Sequence, residues 1–284
     1  MSIDKLQNRI RKMKNPSVIL FSMDISKVPA AYQTGNSVVD YLQYAKAVLT
    51  ALQNVVPAVR FDFNTFAIAG GEGICALTEL IRITNELGYY VLLDAPAVHT
   101  PGAAQCVAED LPVKWKYDGL ILNCYIGSDG VKPFVEQIAK SEQDLFVMMR
   151  TANKSASEIQ DLLTGTRLVY TVVADMAKRL GEDLTARCGY SRIAGVGPAT
   201  SAETLQQLRA KYPTMFLLID GYDYSGANAK NCSMAFDKFG HGAVACGSDC
   251  VLGAWLDDSG DPVELAVMAA ERMKKNLTRY IDIL

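Results

Sequence analysis

Short apolar runs of strand length recur along the chain, and most are followed by a longer stretch whose apolar residues return at helical spacing. These runs predict strands over Ser17–Asp24, Ala58–Asn64, Tyr89–Ala95, Gly119–Tyr125, Leu145–Thr151, Arg192–Pro198, Met215–Gly221 and Ala243–Asp249. Several of them, such as Val18-Ile19-Leu20-Phe21 and Phe216-Leu217-Leu218-Ile219, show no polar alternation. Strands that are apolar on both faces belong to parallel sheets covered by helices. Eight is the number of strands that closes a small barrel.

The segments between the runs carry helix punctuation. Thr200-Ser201-Ala202-Glu203 and Ser155-Ala156-Ser157-Glu158 each fit a capping box. Asp261-Pro262 places an N-cap and a first-turn proline ahead of a final helix. Gly88 reads as the stop before the third strand. The stretch Ser155–Arg187 is too long for one crossover helix, so a short helix, a break near Gly165 and a second helix are expected. Residues 1–16 predict a helix packed on the barrel, with Leu6, Ile10 and Met13 inward and Lys5, Arg9, Arg11, Lys12 and Lys14 as a solvated face. No linker divides the chain. The expected architecture is α/β, a single (β/α)8 TIM barrel over residues 1–284. An open doubly wound sheet is the alternative, weakened because no GxGxxG turn follows an early strand.

Composition narrows the function. Half of the 284 residues are hydrophobic, enough for a large core, and the net charge is -3. That charge argues against nucleic acid, whose phosphates need clustered Lys and Arg. No apolar run reaches the roughly 18 residues needed to span a bilayer, and no secretion signal is visible, so no membrane partner and a cytoplasmic location are expected. Seven cysteines without a CxxC pair read as reduced thiols. Cys246 and Cys250 lie near His241, but strand alternation separates their directions, so no metal and no cofactor are expected.

Active sites of such barrels lie at the C-terminal ends of the strands. Those ends read Asp24, Asp62 with Asn64, Asp94, Asn123, Arg150 with Asn153, Pro198, Asp220 with Asp223, and Asp249. Any one Asp after a strand is commonly a turn or cap residue. Six carboxylates at one edge make an acidic ring that invites a ligand, with Arg60 and Arg150 positioned to neutralise part of it.

The same places resemble the orotidine 5'-phosphate decarboxylase family of the longer bacterial type. Leu122-Asn123-Cys124-Tyr125-Ile126-Gly127-Ser128-Asp129 with Pro133-Phe134 is similar to the family's Val-Asn-Pro-Tyr-Leu-Gly-Ser-Asp and Pro-Phe. Arg150-Thr151-Ala152-Asn153 with Gln160-Asp161-Leu162 resembles its Lys-Thr-Ser-Asn and Gln-Asp-Leu. The resemblance implies a homodimer of barrels, and it assigns Asp24 to a ribose contact and Asp94 to the first catalytic carboxylate.

At other positions the motif is degraded. Where the family's third strand ends Asp-Ala-Lys-Arg-Gly-Asp, this chain reads Asp94-Ala95-Pro96-Ala97-Val98-His99. Pro96 thus stands for the catalytic Lys and His99 for the second catalytic Asp. Arg60 replaces the Lys of the second strand. Asp220-Gly221-Tyr222-Asp223-Tyr224-Ser225-Gly226 replaces Pro-Gly-Tyr-Gly-Ala-Gln-Gly, so Ser225 stands for the Gln that meets base and phosphate. Gly247-Ser248-Asp249 replaces Ser-Ser-Arg, so Asp249 stands for the phosphate-clamping Arg. Proline has no proton to donate to a carbanion-like carbon. Reversing a charge beside a phosphate removes an interaction of about 4 kcal/mol at 4 Å and an effective dielectric near 20.

The expected function is a decarboxylase-like barrel without decarboxylase activity, either a pseudoenzyme or a repurposed ligand-binding protein. The catalytic candidates are Asp94, Arg60 and His99. The ligand-binding candidates are Asp24, Asp62, Asn123, Arg150, Asn153, Asp220, Tyr222, Ser225, Ser248 and Asp249. One alternative is altered chemistry by the acidic cluster on a cationic or metal-bound substrate. The other is orotidine 5'-phosphate decarboxylase of pyrimidine biosynthesis.

Overall fold

A computed structural model describes residues 2–284. The strands are β1 (Ser17–Phe21), β2 (Ala58–Asp62), β3 (Tyr90–Asp94), β4 (Gly119–Asn123), β5 (Asp144–Met148), β6 (Ser191–Pro198), β7 (Met215–Asp220) and β8 (Ala243–Gly247). All pair in parallel with their sequence neighbours, and β8 returns to β1, so the sheet closes into an eight-stranded barrel. The helices, in chain order, are α1 (Ser2–Met13), α2 (Ser37–Ala51), α3 (Phe63–Ile68), α4 (Gly70–Glu86), α5 (Pro101–Lys114), α6 (Ser128–Ala139), α7 (Val169–Leu180), α8 (Ala202–Lys211), α9 (Ala229–Ser233), α10 (Asp249–Leu252) and α11 (Pro262–Thr278). The strands are buried along almost their whole length, which explains why their sequences lack alternation. The predicted single (β/α)8 TIM barrel is the observed fold.

Three local expectations need correction. The first concerns α1. Ile3, Leu6 and Ile10 are fully buried as an inward stripe, but the basic residues are not a simple solvated face. Lys5 Nζ donates to the Tyr89 carbonyl and to Asp118 Oδ2, and Arg9 Nε donates to the Pro57 carbonyl. These acceptors sit at the entries to β2, β3 and β4, so the charges fasten the helix across the N-terminal end of the barrel. The second concerns residues 155–168. Ser155–Glu158 lies in a 3-10 turn (Lys154–Glu158), and a two-stranded hairpin (Leu163–Thr164 with Arg167–Leu168) stands where the end of a short helix was expected. Gly165, at φ 64°, turns the hairpin. The third is a shift of one residue: Ser201, not Thr200, caps α8, its hydroxyl accepting from Thr204 N. Asp261 caps α11 as read, accepting from Val263 N and Glu264 N.

Gly119 opens β4 at a closely packed point of the barrel wall. A Cβ there would stand 2.7 Å from Tyr90 Oη and 2.9 Å from both Leu92 and Phe146 side-chain carbons. Tyr90 Oη is already committed to Asp144 Oδ2 at 2.8 Å. Gly119→Ala is expected to lower stability by about 1–3 kcal/mol through overpacking. An unchanged denaturant midpoint would show that the wall has slack.

Candidate functional site at the barrel mouth

The third residue of β2 is an arginine pointing into the barrel. Arg60 is 5% exposed, and a guanidinium so buried needs partners. It has them on two other strands. Nε and Nη2 donate to the two oxygens of Asp94, at the end of β3, at 2.8 and 2.9 Å. Nη1 donates to Asp220 Oδ1, at the end of β7, at 2.8 Å. The thiol of Cys246, on β8, lies 3.7 Å from the same Nη1. Burial opposes the charge on Arg60, but Asp220 and Asp94 outweigh it and its pKa stands well above the ordinary value. For Asp94 burial is the largest influence and raises its pKa; Arg60 offsets this in part, while Asp62 and Asp220 add to it. Burial likewise keeps Cys246 a thiol, its pKa pushed up to about 12.

A second cation sits between two more carboxylates. Lys27, on a 3-10 turn (Ile25–Lys27) after β1, places Nζ 3.0 Å from Asp24 Oδ2 and 2.6 Å from Asp249 Oδ1. The Ser26 hydroxyl and then Lys27 hold the Asp24 carboxyl below its usual value, against some burial. The indole of Trp255 donates to the Lys27 carbonyl at 3.3 Å. The position resembling the family's phosphate arginine is therefore a carboxylate already engaged by a lysine.

Asp223 reaches the same edge. Its Oδ2 accepts from Ser248 N at 2.5 Å and Asp249 N at 3.1 Å, and its Oδ1 accepts from Cys250 N at 3.3 Å. Three successive backbone donors at the end of β8 are thus occupied by a side chain of the chain itself. Asp62 faces its own helix, as N-cap of α3, accepting from Asn64 N.

The remaining candidates are dispersed. His99 is exposed on the loop after β3, and Asn153 and Ser225 are exposed as well. Asn123 folds back to accept from Tyr125 N. Arg150 makes a two-point ion pair with Asp161 at 2.7 and 2.8 Å, which ties the hairpin segment to the end of β5. Gln160 supports that tie by accepting from Thr151 N. Ser248 Oγ donates to the Leu20 carbonyl. Tyr222 is half-buried and, with Asp249, lines a cavity of about 380 Å³ against α11. Sequence reasoning missed Lys27, although its spacing three residues after Asp24 was a signal, and could not reveal what Asp223 caps.

Of the six carboxylates at this edge, Asp24 and Asp249 share Lys27 and Asp94 and Asp220 share Arg60, while Asp62 and Asp223 accept from backbone amides. No group of three or more His, Cys, Asp or Glu among the described residues is arranged to hold a metal ion.

Two outcomes are expected. Arg60→Ala strands two partly buried carboxylates and should cost about 3–5 kcal/mol in urea unfolding; a loss below 1 kcal/mol would mean that solvent already screens the pair. The Asp161 carboxyl is held low, chiefly by its hydrogen bond from Arg150. A depressed carboxylate contributes stability above its unfolded pKa, near 3.9, and loses it as pH falls through the lower folded value. Wild type should therefore be more stable than Asp161→Asn at pH 7, with the gap closing on acidification. A gap independent of pH would contradict the ion pair.

No family model matches the chain. Individual proteins do. It is 29% identical over 288 residues to orotidine 5'-phosphate decarboxylase of Clostridium acetobutylicum, covering 99% of this chain and 100% of that protein. It is 26% identical over 260 residues to the protein of the same name from Petrotoga mobilis, covering 90% of this chain and 89% of the relative. Among solved structures, the OMP decarboxylase of Leishmania donovani superposes with a TM-score of 0.74 at 21% identity over 98% of this chain and 99% of that one. The orotidine 5'-monophosphate decarboxylase of Plasmodium berghei gives 0.79 at 14% over 99% of each. These structural likenesses carry the fold, and the similarity in sequence carries the kinship. Over nearly its whole length the chain is similar in sequence to orotidine 5'-phosphate decarboxylases, and it shares their fold.

Proposed function

We propose that this chain is an orotidine 5'-phosphate decarboxylase-like barrel that has lost the decarboxylation reaction and binds a different ligand. The observation that carries this reading is the Asp223 carboxylate on the amides of Ser248, Asp249 and Cys250. A phosphate arriving at the end of β8 would compete with a tethered anion for those donors. It would also face Asp249 where its relatives' motif offers a guanidinium. Decarboxylation depends on that remote handle, because binding energy there lowers the barrier at the reacting carbon. The proton donor is the other missing part: Pro96 has none to give, His99 is exposed on the loop, and Arg60 is locked between Asp94 and Asp220. On this reading Asp94 and Arg60 are retained for the architecture of the mouth.

The second reading is orotidine 5'-phosphate decarboxylase of pyrimidine biosynthesis. It is favoured by full-length relatives that carry that name. The two part in one assay. The purified protein is expected to give no spectrophotometric turnover of orotidine 5'-phosphate above background. Turnover that Asp94→Ala abolishes would overturn the proposal and put Arg60 or His99 in the lysine's role.

The reading includes a homodimer. Ile68, Tyr125 and Leu163 are 86%, 84% and 71% exposed, and all three follow C-terminal strand ends, after β2, β4 and β5. Large apolar side chains left exposed at this end of the barrel are what a contact surface would cover. Sedimentation at micromolar concentration should give a dimer that Tyr125→Asp weakens, and a wild-type monomer would refute this part. No helix among the described residues is long and apolar enough to cross a membrane, and the proposed setting is the cytoplasm.

A further inference from the structure

Tyr41, on α2, is 3% exposed, and its hydroxyl has no protein hydrogen-bond partner. The ring is held edge-on against Phe66, centroids 5.8 Å apart. A buried hydroxyl left without a partner is destabilising, so such a group in a well-packed wall calls for one. Beside it lies a small cavity of about 10 Å³, lined by Tyr41, Tyr44, Ser22, Lys27 and Ser248 together with apolar side chains. That is about the space a single water needs, and a water needs two to four polar partners.

The partners are present. Lys27 spends two ammonium protons on Asp24 and Asp249, which leaves the third. Ser248 Oγ donates to the Leu20 carbonyl, which leaves its lone pairs. Tyr44 donates its hydroxyl proton to the Leu252 carbonyl and keeps acceptor capacity. Tyr41 brings both a proton and lone pairs.

We propose that this cavity is a specific site for one ordered water molecule, which joins the Tyr41 hydroxyl on α2 to the turn that carries Lys27. The water is a structural ligand of the barrel mouth. Through it the helix behind β1 fixes the one cation that separates Asp24 from Asp249. This assignment is independent of the ligand the barrel takes.

Tyr41→Phe tests it by sign, because the ring and its packing on Phe66 are kept. With the water in place, the variant removes a satisfied network and should lower Tm by about 2–4 °C, the range expected per kcal/mol for a chain of this size. Without it, the variant removes an unsatisfied hydroxyl, so an unchanged or raised Tm overturns the proposal. A high-resolution crystal structure of the wild type should show a single water peak within hydrogen-bond distance of Tyr41 Oη, absent in the variant. A wild-type map without that peak also overturns it.

Discussion

The mouth of this barrel is organised by one guanidinium. Arg60 starts from β2 and is held by carboxylates on β3 and β7, so one side chain ties three strands at the end where a TIM barrel places its chemistry. Its burial obliges it to be paired, and the pairing in turn fixes Asp94 and Asp220. A ligand that needed either carboxylate free would first have to compete with an arginine. The same logic repeats at the rim, where Lys27 spans Asp24 and Asp249.

These two clusters carry the proposed change of ligand. Each joins two carboxylates to one cation and leaves an excess negative charge. Asp223 then covers backbone donors that would otherwise attract an anion. The fold of the relatives is retained, and on the proposed reading the strand ends favour positive ligands. Fold and activity are separable in this way because the strands are held by burial, whereas the site depends on a few side chains at their ends.

The barrel was legible in the sequence because its strands are buried on both faces. Val18 to Phe21 and Phe216 to Ile219 read as unbroken apolar runs for that reason. The hairpin at 163–168 was not legible. Its strands are two residues long, too short to show an alternation. At the site, the positions of Asp94 and Asp220 followed from the strand ends, and Arg60 was expected to neutralise part of the acidic ring. The partners that decide its chemistry were not visible, since Lys27 meets Asp249 and Asp223 meets Ser248 only after the barrel closes. Such contacts join residues far apart in sequence and leave no periodic trace.

The central claim is that this mouth no longer accepts a nucleotide phosphate. Isothermal titration of uridine 5'-phosphate into the wild type and into Asp223→Gly/Asp249→Arg tests it most directly. The account predicts no measurable heat of binding for the wild type and detectable binding once the tethered anion is removed and the cation restored. Micromolar binding by the wild type would contradict it.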